Sequence, residues 1–326
     1  MNAPGPANPA VRAPRFSVQI PQQDIPYPEL AEIALEAEDL GYDSVWVFDH
    51  FFPIIGSPEG PCMDGWTVLA ALAALTRRVR LGVLVTGVTY RHPSVLAKMA
   101  TTIDIISGGR LDFGLGGAWF DLEHRALGIP FPGIRERLER LEEALQLTRL
   151  LWTRGTEGKV DFEGKHYQLR EAHCNPAPVQ KPHPPIMVGG GGEKRTLRSV
   201  ARHADLWNTF GTPEVFRRKL SILRAHCEAE GRNPDDIESS VLLATYVSED
   251  SRSVERVVKE TAAKMGRPKE EARQAMLVGD PDAVTDRIRE YHDAGVTHIF
   301  FGCVPVWDRP SLRLFAAEVI PRFRDV

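Results

Sequence analysis

The sequence predicts an α/β protein folded as a single (β/α)8 TIM barrel with inserted loops and a small hairpin. Three observations predict it. Short β-rich runs alternate with helical runs eight times along the 326 residues, the count of a closed parallel barrel. An open doubly wound sheet would carry a GxGxxG turn after its first strand, but here Ile20 runs into Pro21-Gln22-Gln23. No linker-like stretch divides the chain, so residues 16–326 read as one catalytic domain behind a flexible tail, Met1 to Arg15.

The elements follow in order. Phe16–Ile20 alternates apolar and polar as a strand does, and Tyr27–Leu40 has helical spacing that stops at Gly41. Ser44–Phe48 is the second strand, followed by a Pro/Gly-rich loop and a helix over Trp66–Thr76. Val79–Val85 is the third strand, and Pro93 opens a helix to about Ile106 as a residue suited to the first turn. Arg110–Leu115 is the fourth strand and Arg135–Trp152 a long amphipathic helix. Lys159–Leu169 breaks the alternation and reads as a hairpin around Glu163-Gly164-Lys165. Pro184–Gly189 and a helix over Glu193–His203 come next, then Asp205–Phe210 and Pro213–Glu230. Ser239–Val247 is the seventh strand, with helical spacing over Ser251–Leu277 and again over Asp282–Ala294. Thr297–Gly302 is the eighth strand, and Leu312–Phe323 closes the chain.

Composition excludes several classes of function. Lys+Arg (40) nearly balance Asp+Glu (44), so the basic excess of a dedicated nucleic-acid binder is missing. The longest plain apolar run, Val68 to Leu75, is far short of the ~18 residues a membrane helix needs. Cys62, Cys174, Cys227 and Cys303 are far apart and form no metal-ligand spacing, so no metal site is expected and the thiols read as reduced. The tail holds Pro4, Pro6, Pro9 and Pro14 and no apolar block, unlike a secretory signal. A cytoplasmic protein is the expectation.

In a barrel the chemistry sits where strands end. After strand five comes Gly189-Gly190-Gly191-Gly192-Glu193-Lys194-Arg195-Thr196, with a strand leading in and a helix leading out. Glycines let backbone N–H groups approach an anion, and a helix start adds unpaired donors and a favourable dipole. The run predicts a phosphate-bearing cofactor, while its spacing excludes a Walker loop. Asp49-His50 follows strand two, where an imidazole suits proton transfer. Gly114 to Gly117, with Ala118 and Trp119, would let a flat ring lie on backbone against an indole wall. Tyr90, Arg91 and His92 read as pocket groups or as loop anchors, and Glu123-His124-Arg125 as pocket groups or an exposed charged turn. Phe51, Phe52, Ile54, Ile55 and Trp66 give the loop after strand two an apolar character, which points to a hydrophobic organic substrate.

The segments SVWVFDH, LGVLVTGVTYRHP, GRLDFGLGGAWFDLEHRALGIPFP, HPPIMVGGGGEKRTLRSVARHADLWN and GDPDAVTDRIREYHDAGVTHI together resemble the luciferase-like flavin and deazaflavin oxidoreductases, most of all the branch dependent on coenzyme F420. The resemblance runs from about Phe16 to the end. It implies a hydride transfer between deazaflavin C5 and an organic substrate, in the reductive direction to an activated C=C, C=N or C=O. It also implies a non-proline cis peptide behind the ring at Leu84–Val85, with Thr86 following. Its phosphate loop maps onto Gly189 to Thr196, and its pocket histidine onto His50 with Asp49 beside it. Gly116, Gly117 and Trp119 fall at the ring. Some deazaflavin dehydrogenases carry an acid after strand four where this chain has Gly117, a departure that points away from a sugar-phosphate substrate. FMN-using monooxygenases share the barrel and the phosphate loop, so FMN with O2 is the alternative, and a non-catalytic deazaflavin-binding barrel a third reading. Relatives imply a homodimer.

Overall fold

The computed structural model describes residues 13–303 and 308–324. Most of the expected tail lies outside them, and Arg15 is already the first residue of strand β1, Arg15–Gln19. The strands that follow are β2, Ser44–Val47, β3, Arg80–Val83, and β4, Leu111–Gly116. They continue with β5, Ile186–Gly189, β6, Leu206–Thr209, β7, Glu238–Val247, and β8, His298–Cys303. Every neighbouring pair is parallel, and β8 pairs with both β7 and β1, which closes the ring.

Closure buries both faces of each strand, so the strands are apolar almost throughout. Inside the barrel, Trp46, Leu84, Met187, Leu206 and Phe300 fill the centre. The N-terminal ends of the strands are instead tied by polar groups. His298 Nε2 lies 2.5 Å from Ser17 Oγ, its Nδ1 2.5 Å from Glu238, and Arg15 reaches Glu238 at 3.2 Å. Arg80 pairs with Asp112 in the same layer.

The helices pack outside. In order they are α1, Tyr27–Asp39, α2, Gly65–Leu75, α3, Pro93–Ser107, α4, Asp121–Leu127, and α5, Ile134–Trp152. After them come α6, Thr196–His203, α7, Pro213–Ala229, α8, Ser251–Met265, α9, Lys269–Gln274, α10, Pro281–Asp293, and α11, Arg309–Glu318. Pro93 sits in the first turn of α3, and Gly108, at φ 69°, ends that helix in the left-handed conformation that glycine adopts without strain. Among the described residues no helix is long and apolar enough to cross a membrane.

Three stretches differ from the sequence reading. The expected helix over Ser251–Leu277 is two helices and a strand. Gly266 stops α8, and Met276–Gly279 pairs with Ala244–Val247 of β7, beyond the residues of β7 that β6 covers. Helix α6 begins at Thr196, not Glu193, because residues 190–195 form an open turn over the barrel rim. Glu123-His124 does not lie in an exposed turn. Both side chains are fully buried on α4, a short helix whose pattern spans too few residues to read. The hairpin is present as Val160–Glu163 against Gln168–Ala172.

Candidate active site

Strand β2 delivers Asp49 and His50 to the barrel mouth, and both are buried. His50 Nδ1 lies 2.8 Å from Glu123 Oε1, and the N–H of Phe51 donates to Glu123 Oε2 at 2.8 Å. The Tyr90 phenol donates to the same carboxylate. Burial works to raise the Glu123 carboxyl, but these hydrogen bonds, His50's foremost, outweigh it and hold the group below its ordinary range. An ionised Glu123 accepts from Nδ1–H, which leaves Nε2 as the ring nitrogen with no partner among the described residues. His124 locks α4 in place: its Nδ1–H donates to the Phe120 carbonyl at 2.7 Å, its Nε2 accepts from the Thr89 hydroxyl at 2.6 Å, and it stacks on Tyr90.

Asp49 faces the other way. Both its oxygens receive the Arg91 guanidinium, at 2.9 and 2.7 Å, and Arg91 also reaches Asp64 at 2.6 Å. Burial raises the Asp49 carboxyl to about 6, with Arg91 offsetting it only in part. Asp49 thus anchors Arg91 and the start of α2, where Asp64 accepts from the Thr67 N–H. Tyr90 and Arg91 are therefore loop anchors that also wall the pocket.

Beyond β3 the chain steps through a cis peptide at Leu84–Val85 and then pairs Thr86–Gly87 against β4. Thr86 accepts from Trp66 Nε1 at 2.8 Å, and Trp66 is buried in the core rather than lining the pocket wall. Gly116 lies opposite Gly189. A Cβ on Gly189 would come within 2.5 Å of the Val85 side chain, and one on Gly116 within 2.8 Å, so the glycines seat Val85, and its half-buried side chain, not the glycine backbone, is the shelf at the mouth. Gly117 faces Leu138. Trp119 stands out at the rim, 62% exposed, its ring 5.4 Å from that of His50.

The glycine run forms a cradle. Gly190 has φ 126°, which only glycine adopts readily, and its N–H bonds Asn208. Among the described residues the N–H groups of residues 191–196 have no protein acceptor. A Cβ on Gly191 would lie 2.6 Å from Thr209 Oγ1, and one on Gly192 2.8 Å from Thr196 Oγ1, so side chains would fill the cradle. A cavity of about 510 Å³ opens there, lined by Leu138, Gly191 to Thr196 and Lys219. Lys219, on α7, bonds the Gly191 carbonyl at 2.5 Å. Its position on a helix, 28 residues beyond Gly191, hid it from the sequence reading. Glu193 turns its carboxylate to Arg218 at 3.0 Å. Donor set and shape fit a phosphate.

The family described as luciferase-like monooxygenase matches residues 12–298. The chain belongs to this family. A relative from Kineococcus radiotolerans named F420-dependent glucose-6-phosphate dehydrogenase is 32% identical, covering 91% of this chain and 93% of that one. The F420-dependent tetrahydromethanopterin reductase of Methanopyrus kandleri superposes with a TM-score of 0.79 at 22% identity, covering 95% of this chain and 99% of that one. Monooxygenase RslO1 from Streptomyces bottropensis gives 0.78 at 26% identity, with 95% and 99% covered.

Within this luciferase-like barrel the expected site residues fall into two groups. His50, Trp119, Leu84, Val85, Thr86, Gly116 and Gly117 gather around the mouth, while Gly189 to Thr196 form the adjoining cradle. Sequence reasoning did not single out Glu123 as the partner of His50. The only signal was an acid inside a segment resembling the family. Arg198 and Arg202, on the face away from the cradle, pair with Glu230 and are surface groups.

Proposed function

We propose that the chain is an F420-dependent oxidoreductase that moves a hydride between the deazaflavin and a small organic substrate. The observation that carries this is the juxtaposition of a glycine cradle rich in unpaired N–H groups, a Val85 shelf seated on Gly116 and Gly189, and a buried His50–Glu123 pair on one barrel rim. When bound, F420 supplies the two-electron hydride chemistry at its C5.

The chain's residues do the rest. Residues 191–196 hold the phosphate, and Val85, seated on Gly116 and Gly189, backs the ring. Glu123 fixes the His50 ring so that Nε2 gives a proton to, or takes one from, the substrate heteroatom. Phe48, Trp119 and Phe120 pack their rings edge-on against the imidazole and help hold its orientation. FMN ends at its phosphate, whereas F420 continues into a carboxylate-bearing tail, and Lys194, Arg195 and Lys219 around the cavity suit such a tail.

Parallel fluorescence titrations with F420 and FMN test the reading. Selective F420 binding and turnover of an activated C=C, C=N or C=O by its reduced form support it. Tight FMN binding with O2 consumption would replace it with a monooxygenase.

We further propose a homodimer. Val95, Ile105 and Ile106 on α3 and Leu75 at the end of α2 are exposed apolar side chains on adjoining helices, which a second copy would cover. The cytoplasm is the proposed location, where the unpaired Cys62, Cys174 and Cys227 stay reduced.

A further inference from the structure

We infer that the cleft takes an uncharged, largely apolar substrate and rejects phosphorylated sugars. The inference rests on reading the cleft as the hydride-transfer site, and it departs from the substrate in the name of the Kineococcus relative.

A phosphate dianion at a barrel mouth needs cations or N–H donors that are not already engaged. On the His50 side the candidates other than Arg137 are committed, and Arg137, whose Nε and Nη1 have no hydrogen-bond partner among the described residues, lies flat on Phe131, which packs on His124. Arg91 spends both terminal nitrogens on Asp49 and Asp64. His124 is fully buried with both ring nitrogens bonded. His92 caps α3 through Nδ1, and Arg125 pairs with Asp121 on the outside. The residues after β1 (20–26), β6 (210–212) and β7 (248–250) include no Lys or Arg.

Against this stand Glu123, Asp49 and Asp64 around His50 and Arg91. The field they make is visible at Cys62, whose thiol is pushed up to about 12, first by burial and then by Glu123, Asp24 and Asp64. A second dianion placed among these carboxylates would be repelled by several of them at short range. Lys194, Arg195 and Lys219 line the cofactor cradle.

What the mouth offers instead is hydrocarbon. Trp119 is 62% exposed, Phe210 67% and Ile55 45%, on the loops that follow β4, β6 and β2. Phe51 and Phe120 line the same side, in ring contact with Tyr90 and His50. Large apolar side chains left open around a single proton-transfer group match an apolar molecule carrying one polar, reactive bond.

The test uses the full chain loaded with oxidised F420 and the neutral fluorescent probe N-phenyl-1-naphthylamine. The probe should bind the loaded protein, Trp119→Ala and Phe210→Ser should each weaken it about fivefold, the scale of one aromatic contact, and millimolar glucose 6-phosphate should neither displace it nor reduce F420. Displacement by glucose 6-phosphate, or reduction of F420 by it, overturns the inference. So does probe binding that both variants leave unchanged, or no probe binding at all. Failure of F420 itself to bind, read by its own fluorescence, overturns the cofactor reading instead, and the probe arm on the unloaded chain still decides the apolar mouth.

Discussion

Nδ1 of His50 stands 2.8 Å from Oε1 of Glu123, and the carboxylate is steadied by the Tyr90 phenol and the Phe51 N–H. This makes Glu123 a positioning residue, since it reaches the substrate only through the imidazole. Glu123→Gln keeps the shape and removes the charge. Turnover should fall by about 10–100-fold, the usual loss when an orienting partner of a functional histidine is removed, with KM and F420 affinity little changed. His50→Ala should cost more, about 10²–10⁴-fold, the range of general acid–base catalysis. A Glu123→Gln enzyme with wild-type kcat would show that His50 needs no such partner.

Gly191→Val tests the cradle. The added Cβ would meet Thr209 Oγ1 at 2.6 Å and Lys219 Nζ at 3.0 Å, both on the rim rather than in the core. F420 binding should be lost while the thermal melt by circular dichroism stays close to wild type. Unchanged affinity would move the phosphate elsewhere.

The strands and the cradle were legible in the sequence because their signals are local: apolar runs of strand length, and four glycines between a strand and a helix. Glu123 was legible as one of two readings, a pocket group or an exposed turn, but not as the partner of His50. Its importance comes from α4 folding back so that a carboxylate arrives beside His50, 73 positions earlier in the chain. Asp49 shows the converse. Adjacency to His50 made it a catalytic candidate, yet in a strand end successive side chains diverge, and its carboxylate goes to Arg91. Met276–Gly279 read as helix because an apolar run so short carries no period of its own, and the exposed edge of β7 decides its conformation.

The two ends of the barrel should respond to acid in opposite senses. Glu238 would be raised by burial, but His298 and Arg15 outweigh that and bring it to about 2 from an ordinary 4.5. The unfolded chain then binds its proton first, so this group's stabilisation is present above about 4.5 and is lost as pH falls toward about 2. Asp49 is raised to about 6 from 3.8, so the folded protein holds a proton that the unfolded chain has released, and its contribution falls as pH rises from about 4 to 6. Urea midpoints measured across this range should therefore rise less steeply on acidification in Asp49→Asn and fall less steeply in Glu238→Gln. Two variants with identical pH profiles would contradict both assignments.

Light scattering tests the dimer. Ile105→Asp with Ile106→Asp places two charges on the exposed face of α3, where both side chains are now apolar and solvent-facing. The wild-type mass should be twice that of the chain and the variant's equal to it, with the melt of each monomer barrel retained. A wild-type mass of one chain at every concentration would remove the second copy from the proposal.

The last prediction concerns the floor beneath the site. Trp46 on β2 lies directly across from Gly82 on β3, and its indole N–H is tied to Ser44 Oγ at 2.7 Å. A Cβ at position 82 would fall 2.3 Å from the indole ring, so the glycine there is the space the ring occupies. The ring in turn packs against Leu84, Met187, Leu206 and Phe300, and Leu84 leads directly into Val85, the shelf over Gly116 and Gly189. Gly82→Ala must therefore either push the indole off its hydrogen bond or separate β2 from β3. Overpacking of this kind costs about 1–3 kcal/mol, and chemical denaturation should show it. Because the displaced ring supports Leu84 from below, F420 affinity should fall together with stability, whereas Gly191→Val should lose affinity alone. A Gly82→Ala protein as stable as wild type would mean that the indole has room to move, and that the barrel centre does not set the height of the shelf.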